Sequence, residues 1–185
     1  MNKIVKYSLF SAVFVGVIVL AVASYNYLTT NYKAEENNIQ NQQTEEQLQI
    51  APDFQVLNND GKTVTLKEHF GKPIVINFWA TWCAPCRTEM PEFNKIYGEY
   101  KDEVTFMMVN LTDGQRDTVA KVKDFIKKSG YTFPIYYDTE YYAAYAYGVN
   151  SVPMSIFINS NGEIVDYYLG TLSEQKLRMY IDKII

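Results

Sequence analysis

Residues 7–28, YSLFSAVFVGVIVLAVASYNYL, carry no charge. The run is at least as long as the roughly 20 apolar residues that cross a hydrocarbon core of ~30 Å. Residues 29–49, TTNYKAEENNIQNQQTEEQLQ, then offer Asn, Gln and Glu and almost no large apolar side chains. Such a segment cannot bury a core and reads as a flexible tether. A globular core must therefore come from residues 51–185, the length of one ordinary domain. The predicted organisation is a transmembrane anchor over 1–28, a polar tether over 29–50 and one domain over 51–185.

Lys3 and Lys6 precede the apolar run and favour a cytoplasmic N-terminus. Tyr25 and Tyr27 stand where an interfacial aromatic belt would lie. A cleaved signal peptide is the competing reading, with Ala21-Val22-Ala23 as its cleavage site. The apolar run continues past that site, which favours an uncleaved anchor. No Cys near the N-terminus could take a lipid. Either reading predicts that the domain lies on the extracytoplasmic side of the cell membrane, with a single-pass anchor if the segment is retained.

The chain has a net charge of −4, and from Ala51 onward 14 Lys and Arg stand against 17 Asp and Glu. No basic stripe is present, so nucleic acid is not an expected partner. The 16 tyrosines are scattered, as core and half-exposed strand positions would require. The 2 cysteines form one C-x-x-C. They cannot build a disulfide framework, and with 1 His they cannot complete a four-ligand zinc site in a monomer. Arg87 follows Cys86 where a c-type haem site needs His. Redox pairing remains. His69, in the surface-like Lys67-Glu68-His69, is read as inert.

The order of elements is readable from apolar runs and turn signals. Residues 54–57 and 63–66 flank Asn58-Asn59-Asp60-Gly61 as a β-hairpin. Ile74–Trp79 is a buried strand bounded by Gly71 and Pro73. A helix follows the C-x-x-C to about Tyr100, with Phe93, Ile96, Tyr97 and Tyr100 on one face. Residues 104–110 form a second buried strand. A helix from about Asp117 carries Val119, Val122, Phe125 and Ile126 and ends at Lys127, Lys128 and Gly130. Ile135–Tyr137 is a short strand and residues 140–147 a short helix. Met154–Ile158 and residues 164–169 form a second hairpin, and Ser173 caps a last helix. The result is an α/β fold with a mixed central sheet between helices.

Trp82-Cys83-Ala84-Pro85-Cys86 lies between a buried strand and a helix start. There, unpaired N–H groups and the helix dipole stabilise a thiolate at Cys83. Thiols so placed have pKa values of ~3.5–7.5. Cys83 is therefore the expected nucleophile. Cys86, one turn in, resolves the mixed disulfide. Pro85 fixes φ in the first turn, where its missing N–H costs nothing. The rival reading is an inert stabilising disulfide, but so small a loop removes little unfolded-state entropy.

Phe78-Trp79-Ala80-Thr81-Trp82-Cys83-Ala84-Pro85-Cys86 resembles the thioredoxin active-site signature. Pro91 matches the proline inside that active-site helix, and Val152-Pro153 resembles the cis-proline loop facing the dithiol. Ala51-Pro52-Asp53-Phe54, Asp60-Gly61-Lys62, Gly71-Lys72-Pro73 and Cys86-Arg87-Thr88-Glu89-Met90-Pro91 resemble the TlpA/ResA group of membrane-anchored, extracytoplasmic thiol–disulfide oxidoreductases. The likeness covers nearly all of residues 51–185. It implies a thioredoxin-like fold with an N-terminal hairpin and an inserted α–β unit near Asp117–Tyr137. It implies catalysis by the Cys83–Cys86 disulfide with no other cofactor, supported by Trp82, Pro85 and Pro153.

Two positions depart from thioredoxins. Asn77 occupies the place of a buried Asp, and Asn cannot accept a proton at physiological pH. Met154 follows Pro153 where Thr is usual. Glu89 is the candidate for the missing acid–base group: it lies at i+3 from Cys86, and the TlpA/ResA group carries an active-site Glu at the matching position. A solvated helix-surface Glu is the alternative. The family likeness implies a CcdA/DsbD-type membrane electron donor. It also implies an exported disulfide substrate such as apocytochrome c, a methionine sulfoxide reductase or a peroxidase. A disulfide-introducing oxidase and a thiol-presenting binding module are the other readings. A peroxiredoxin is disfavoured because Ala80 stands where its motif needs Ser or Thr.

Overall fold

The computed structural model describes residues 16–29 and 49–185. The chain divides into two compact units, residues 1–47 and 48–185. In the first, residues 16–29 form helix α1. Its apolar side chains, among them Val17, Val19, Leu20 and Val22, are exposed. Among the described residues no helix is long and apolar enough to cross a membrane. Residues 1–15 of the predicted anchor, and all of the predicted tether except Thr29, Gln49 and Ile50, lie outside the described residues.

The second unit is built on one eight-stranded sheet. Its strands are β1 (Gln49–Ile50), β2 (Gln55–Leu57), β3 (Thr63–Thr65), β4 (Ile74–Trp79), β5 (Thr105–Asn110), β6 (Ile135–Tyr137), β7 (Met154–Ile158) and β8 (Glu163–Leu169). Their order across the sheet is β1-β8-β7-β4-β5-β6-β2-β3. β4, β5 and β6 are parallel, with Ile74 opposite Thr105 and Met108 opposite Ile135. β7 runs antiparallel to β4, pairing Asn77 with Ser155. The mixed sheet and the solved relatives described below make this the expected thioredoxin-like α/β fold.

Helices cover both faces: α2 (Ala84–Tyr100), α3 (Val119–Ser129), α4 (Tyr142–Ala146) and α5 (Glu174–Ile181). The period of 2 along β4 divides its side chains between them. Ile74, Ile76 and Phe78 join Phe54, Leu66 and Met107 in one cluster. Val75 and Trp79 join Phe93 and Ile96 of α2 and Leu177 and Ile181 of α5 in the other. The same alternation places Asn77 on the α2 side of the sheet.

Local signals explain the helix ends. Thr118 Oγ1 accepts the Lys121 N–H and caps α3. Gly130, at φ 71°, closes it in the left-handed region that glycine enters freely. Ser173 caps α5 as expected. α4 begins at Tyr142, two residues later than expected, because Tyr141 sits at φ 60° and breaks the turn. The end of the predicted tether is strand, not coil: Gln49 and Ile50 pair with Ile164 and Glu163 of β8. His69 also differs from expectation. Lys67 and Glu68 are exposed, but the His69 ring is half-buried, edge-on to Tyr136 at 5.9 Å. Burial holds its pKa below the ordinary value.

Candidate active site

Cys83 is the N-cap of α2, and Cys86 lies in its first turn. Cys83 Sγ accepts the Cys86 backbone N–H at 3.1 Å, so an otherwise orphaned helix donor points at the sulfur. The two cysteines are joined at an S–S distance of 2.07 Å. Cys83 keeps 5% exposure and Cys86 none. Substrate can therefore reach only the first sulfur without local opening. Pro85 falls in the first turn and is exposed. The Val152–Pro153 bond is cis, and Val152 O lies 3.5 Å from Cys83 Sγ. The residues that the sequence placed around the dithiol are thus together at one end of β4. Trp82, also at this end, is 39% exposed.

Glu89 is 1% exposed, so it is not a helix-surface charge. Its Oε1 accepts from Asn77 Nδ2 at 2.9 Å, and its Oε2 accepts the Leu172 N–H at 2.7 Å. Asn77 Nδ2 also donates to Ser155 Oγ at 3.0 Å, across the β4–β7 pair. Among the described residues no cation bonds to this carboxyl. Burial dominates the two hydrogen bonds and pushes its pKa up to about 7. Asn77 Oδ1 is buried without a partner among the described residues. Rotating that amide by 180° would present Oδ1 to a protonated Glu89.

A second buried carboxylate was not singled out from the sequence. Asp117, fully buried, accepts the Thr81 N–H at 2.7 Å and Asn110 Nδ2 at 3.0 Å, and it also accepts the Thr81 hydroxyl. Lys121 Nζ lies 3.6 Å away. This carboxylate latches the loop before α3 to the residue two positions ahead of Cys83. The adjacent Arg116 places its guanidinium 3.8 Å from the centre of the Trp82 ring. A lone Asp near a predicted helix start reads as a cap, and nothing in the sequence pointed to Thr81 as its partner.

Comparison with known proteins agrees with this geometry. The pattern of the AhpC/TSA family matches residues 48–167. The thiol-disulfide oxidoreductase ResA of Bacillus anthracis is 35% identical over 142 residues, covering 75% of this chain and 80% of that protein. The thioredoxin-like protein YneN of Bacillus subtilis is 32% identical over 169 residues, covering 90% and 95%. Among solved structures, StoA from Bacillus subtilis aligns with a TM-score of 0.62 at 28% identity, covering 71% of this chain and 97% of that one. A DsbF homologue from Corynebacterium diphtheriae aligns with a TM-score of 0.66 at 26% identity, covering 75% and 88%. With a joined C-x-x-C on a thioredoxin-like scaffold, the chain belongs to the AhpC/TSA family and is, within it, a thiol–disulfide oxidoreductase of the ResA type.

Proposed function

We propose that this enzyme is a protein-disulfide reductase, held at the cell membrane by one N-terminal span and working as a monomer on exported proteins. The observation that carries the reading is Glu89. A buried carboxyl with a pKa of about 7, three residues past Cys86 on the same helix, can take a proton near neutral pH and return it. In the reduced enzyme the α2 N-terminus favours the Cys83 thiolate. That thiolate attacks one substrate sulfur and the substrate S–S bond breaks. The first substrate thiolate leaves and is protonated from water. Cys86 then gives its proton to Glu89 and attacks Cys83 Sγ. The Cys83–Cys86 bond forms, the mixed disulfide breaks, and the second substrate sulfur leaves as a thiolate that takes up the proton held by Glu89. Two electrons have passed from the cysteine pair to the substrate.

The reduced pair is regenerated by dithiol exchange with a membrane donor of the CcdA/DsbD type. An exported apocytochrome c or a methionine sulfoxide reductase fits as substrate. The exposed apolar surface of α1 supports a membrane location for the N-terminus. The reduction potential of the Cys83–Cys86 couple tests the direction. A value near the ~−270 mV of thioredoxin is expected, and one near ~−120 mV would make the protein a disulfide-introducing oxidase. For location, full-length protein should stay in the membrane fraction through carbonate extraction. A mature N-terminus at Ser24 would overturn the anchor.

A further inference from the structure

Beside the dithiol lies a groove of about 430 Å³ whose lining includes Trp82, Arg87, Lys121, Asp124, Phe125 and Lys128. Its size is within the range of ~300–1,000 Å³ found for ligand clefts. One wall is the active-site loop and the first turns of α2. The other is α3, part of the α–β unit inserted between β5 and the cis-proline loop. Thiol exchange through Cys83, Cys86 and Glu89 uses no group of α3.

The charge of the groove runs against that of the protein. Three cations and one carboxylate line it, with a second carboxylate, Asp117, buried behind Lys121, on a chain of net charge −4. Arg87 donates one N–H to Thr81 O at 2.7 Å and makes no ion pair among the described residues. Lys128 pairs with Asp124 at 2.7 Å, but their side chains are 75% and 58% exposed. Such a pair is weak and exchanges readily for an incoming anion. Lys121 touches the edge of buried Asp117 while its side chain stays 54% exposed. Trp82 and Phe125 add aromatic surface that can receive an apolar or aromatic side chain.

We propose that this groove docks an acidic peptide segment, carrying one apolar side chain, that adjoins the target disulfide of the protein substrate. The proposal deepens the reading of the chain as an enzyme acting on protein disulfides. In it the inserted α3 supplies substrate selection, and the cysteines supply the chemistry. Opposite charges across such a surface set specificity and association rate, and salt weakens both.

The test uses the full-length oxidised protein and two cysteine-free peptides. One flanks a single Phe with Asp and Glu, and the other flanks it with Lys. Binding is followed by NMR at the Trp82 indole and at the amides of Arg87, Phe125 and Lys128. The acidic peptide should bind ~10-fold tighter than the basic one at low salt, with the ratio falling as salt rises. Lys128→Glu should abolish the preference, and Lys128→Gln, which removes the charge and keeps a polar end, should reduce it. Equal affinities, or an acidic preference that survives Lys128→Glu, would overturn the proposal. No cysteine is involved in the peptides. A failed reductase assay therefore leaves this result readable, and a failed docking test leaves the reductase reading standing.

Discussion

Two buried carboxyl groups flank the dithiol, Glu89 on its helix and Asp117 against Thr81, and the protein treats them differently. Asp117 collects the Thr81 N–H, the Thr81 hydroxyl and Asn110 Nδ2, with Lys121 Nζ at 3.6 Å. Glu89 has one side-chain amide and one backbone N–H, and among the described residues no cation bonds to it. Burial alone therefore does not make a catalytic acid. A buried carboxylate ringed by donors and a lysine fixes a loop. One with fewer donors and no cation bonded to it among the described residues is desolvated with less compensation, and its pKa moves to where proton transfer is useful.

The contrast predicts different failures. Asp117→Ala strands two buried N–H donors, Thr81 N–H and Asn110 Nδ2, and leaves the rotatable Thr81 hydroxyl to turn elsewhere. It should cost roughly 2–6 kcal/mol, at ~1–3 kcal/mol for each stranded group. Denaturant unfolding reads this directly. The ionisation near pH 7 should survive in that variant, because Glu89 is untouched. If Asp117→Ala removed that ionisation and left stability intact, the two roles would be exchanged.

Glu89→Gln should act on the pH dependence of stability. The Glu89 pKa is raised from an ordinary 4.5 to about 7, so between these values the folded protein holds a proton that the unfolded chain releases. Stability therefore falls as pH rises through that window, and the penalty is complete above pH 7 and absent below 4.5. At 1.36 kcal/mol per pH unit this is about 3 kcal/mol. The Gln variant should gain that amount relative to wild type on going from pH 4 to pH 8. Hydrogen bonds lost to the substitution shift both ends alike and cancel. Parallel stability curves would mean that the Glu89 carboxyl does not carry a raised pKa.

The central strands were plain in the sequence because each is a block of apolar residues bounded by Gly, Pro or Asn. Ile74–Trp79 and Met154–Ile158 match the observed strands end to end. Their hidden positions could not be seen so directly. Gln49–Ile50 is too short and too polar to show a period, and its partner strand is more than a hundred residues away. Glu89 could be placed on the Cys86 face from helical spacing. Its burial depends on Asn77 and Leu172, which reach it only after β4 and the segment before α5 have packed on α2. Asp117 was invisible as a latch for the same reason, since Thr81 meets it only through the fold. Local periodicity encodes which face a residue occupies, whereas tertiary pairing decides what that face touches.

The claim that Glu89 takes the Cys86 proton is tested most directly by single-turnover resolution of a mixed disulfide at Cys83. The rate would be followed against pH in wild type and in Glu89→Gln. Wild type should show an inflection near neutrality, where the buried Glu89 carboxyl titrates. In Glu89→Gln that inflection should vanish and resolution should slow by ~10- to 10³-fold. Identical rates and profiles in the two proteins would contradict the account.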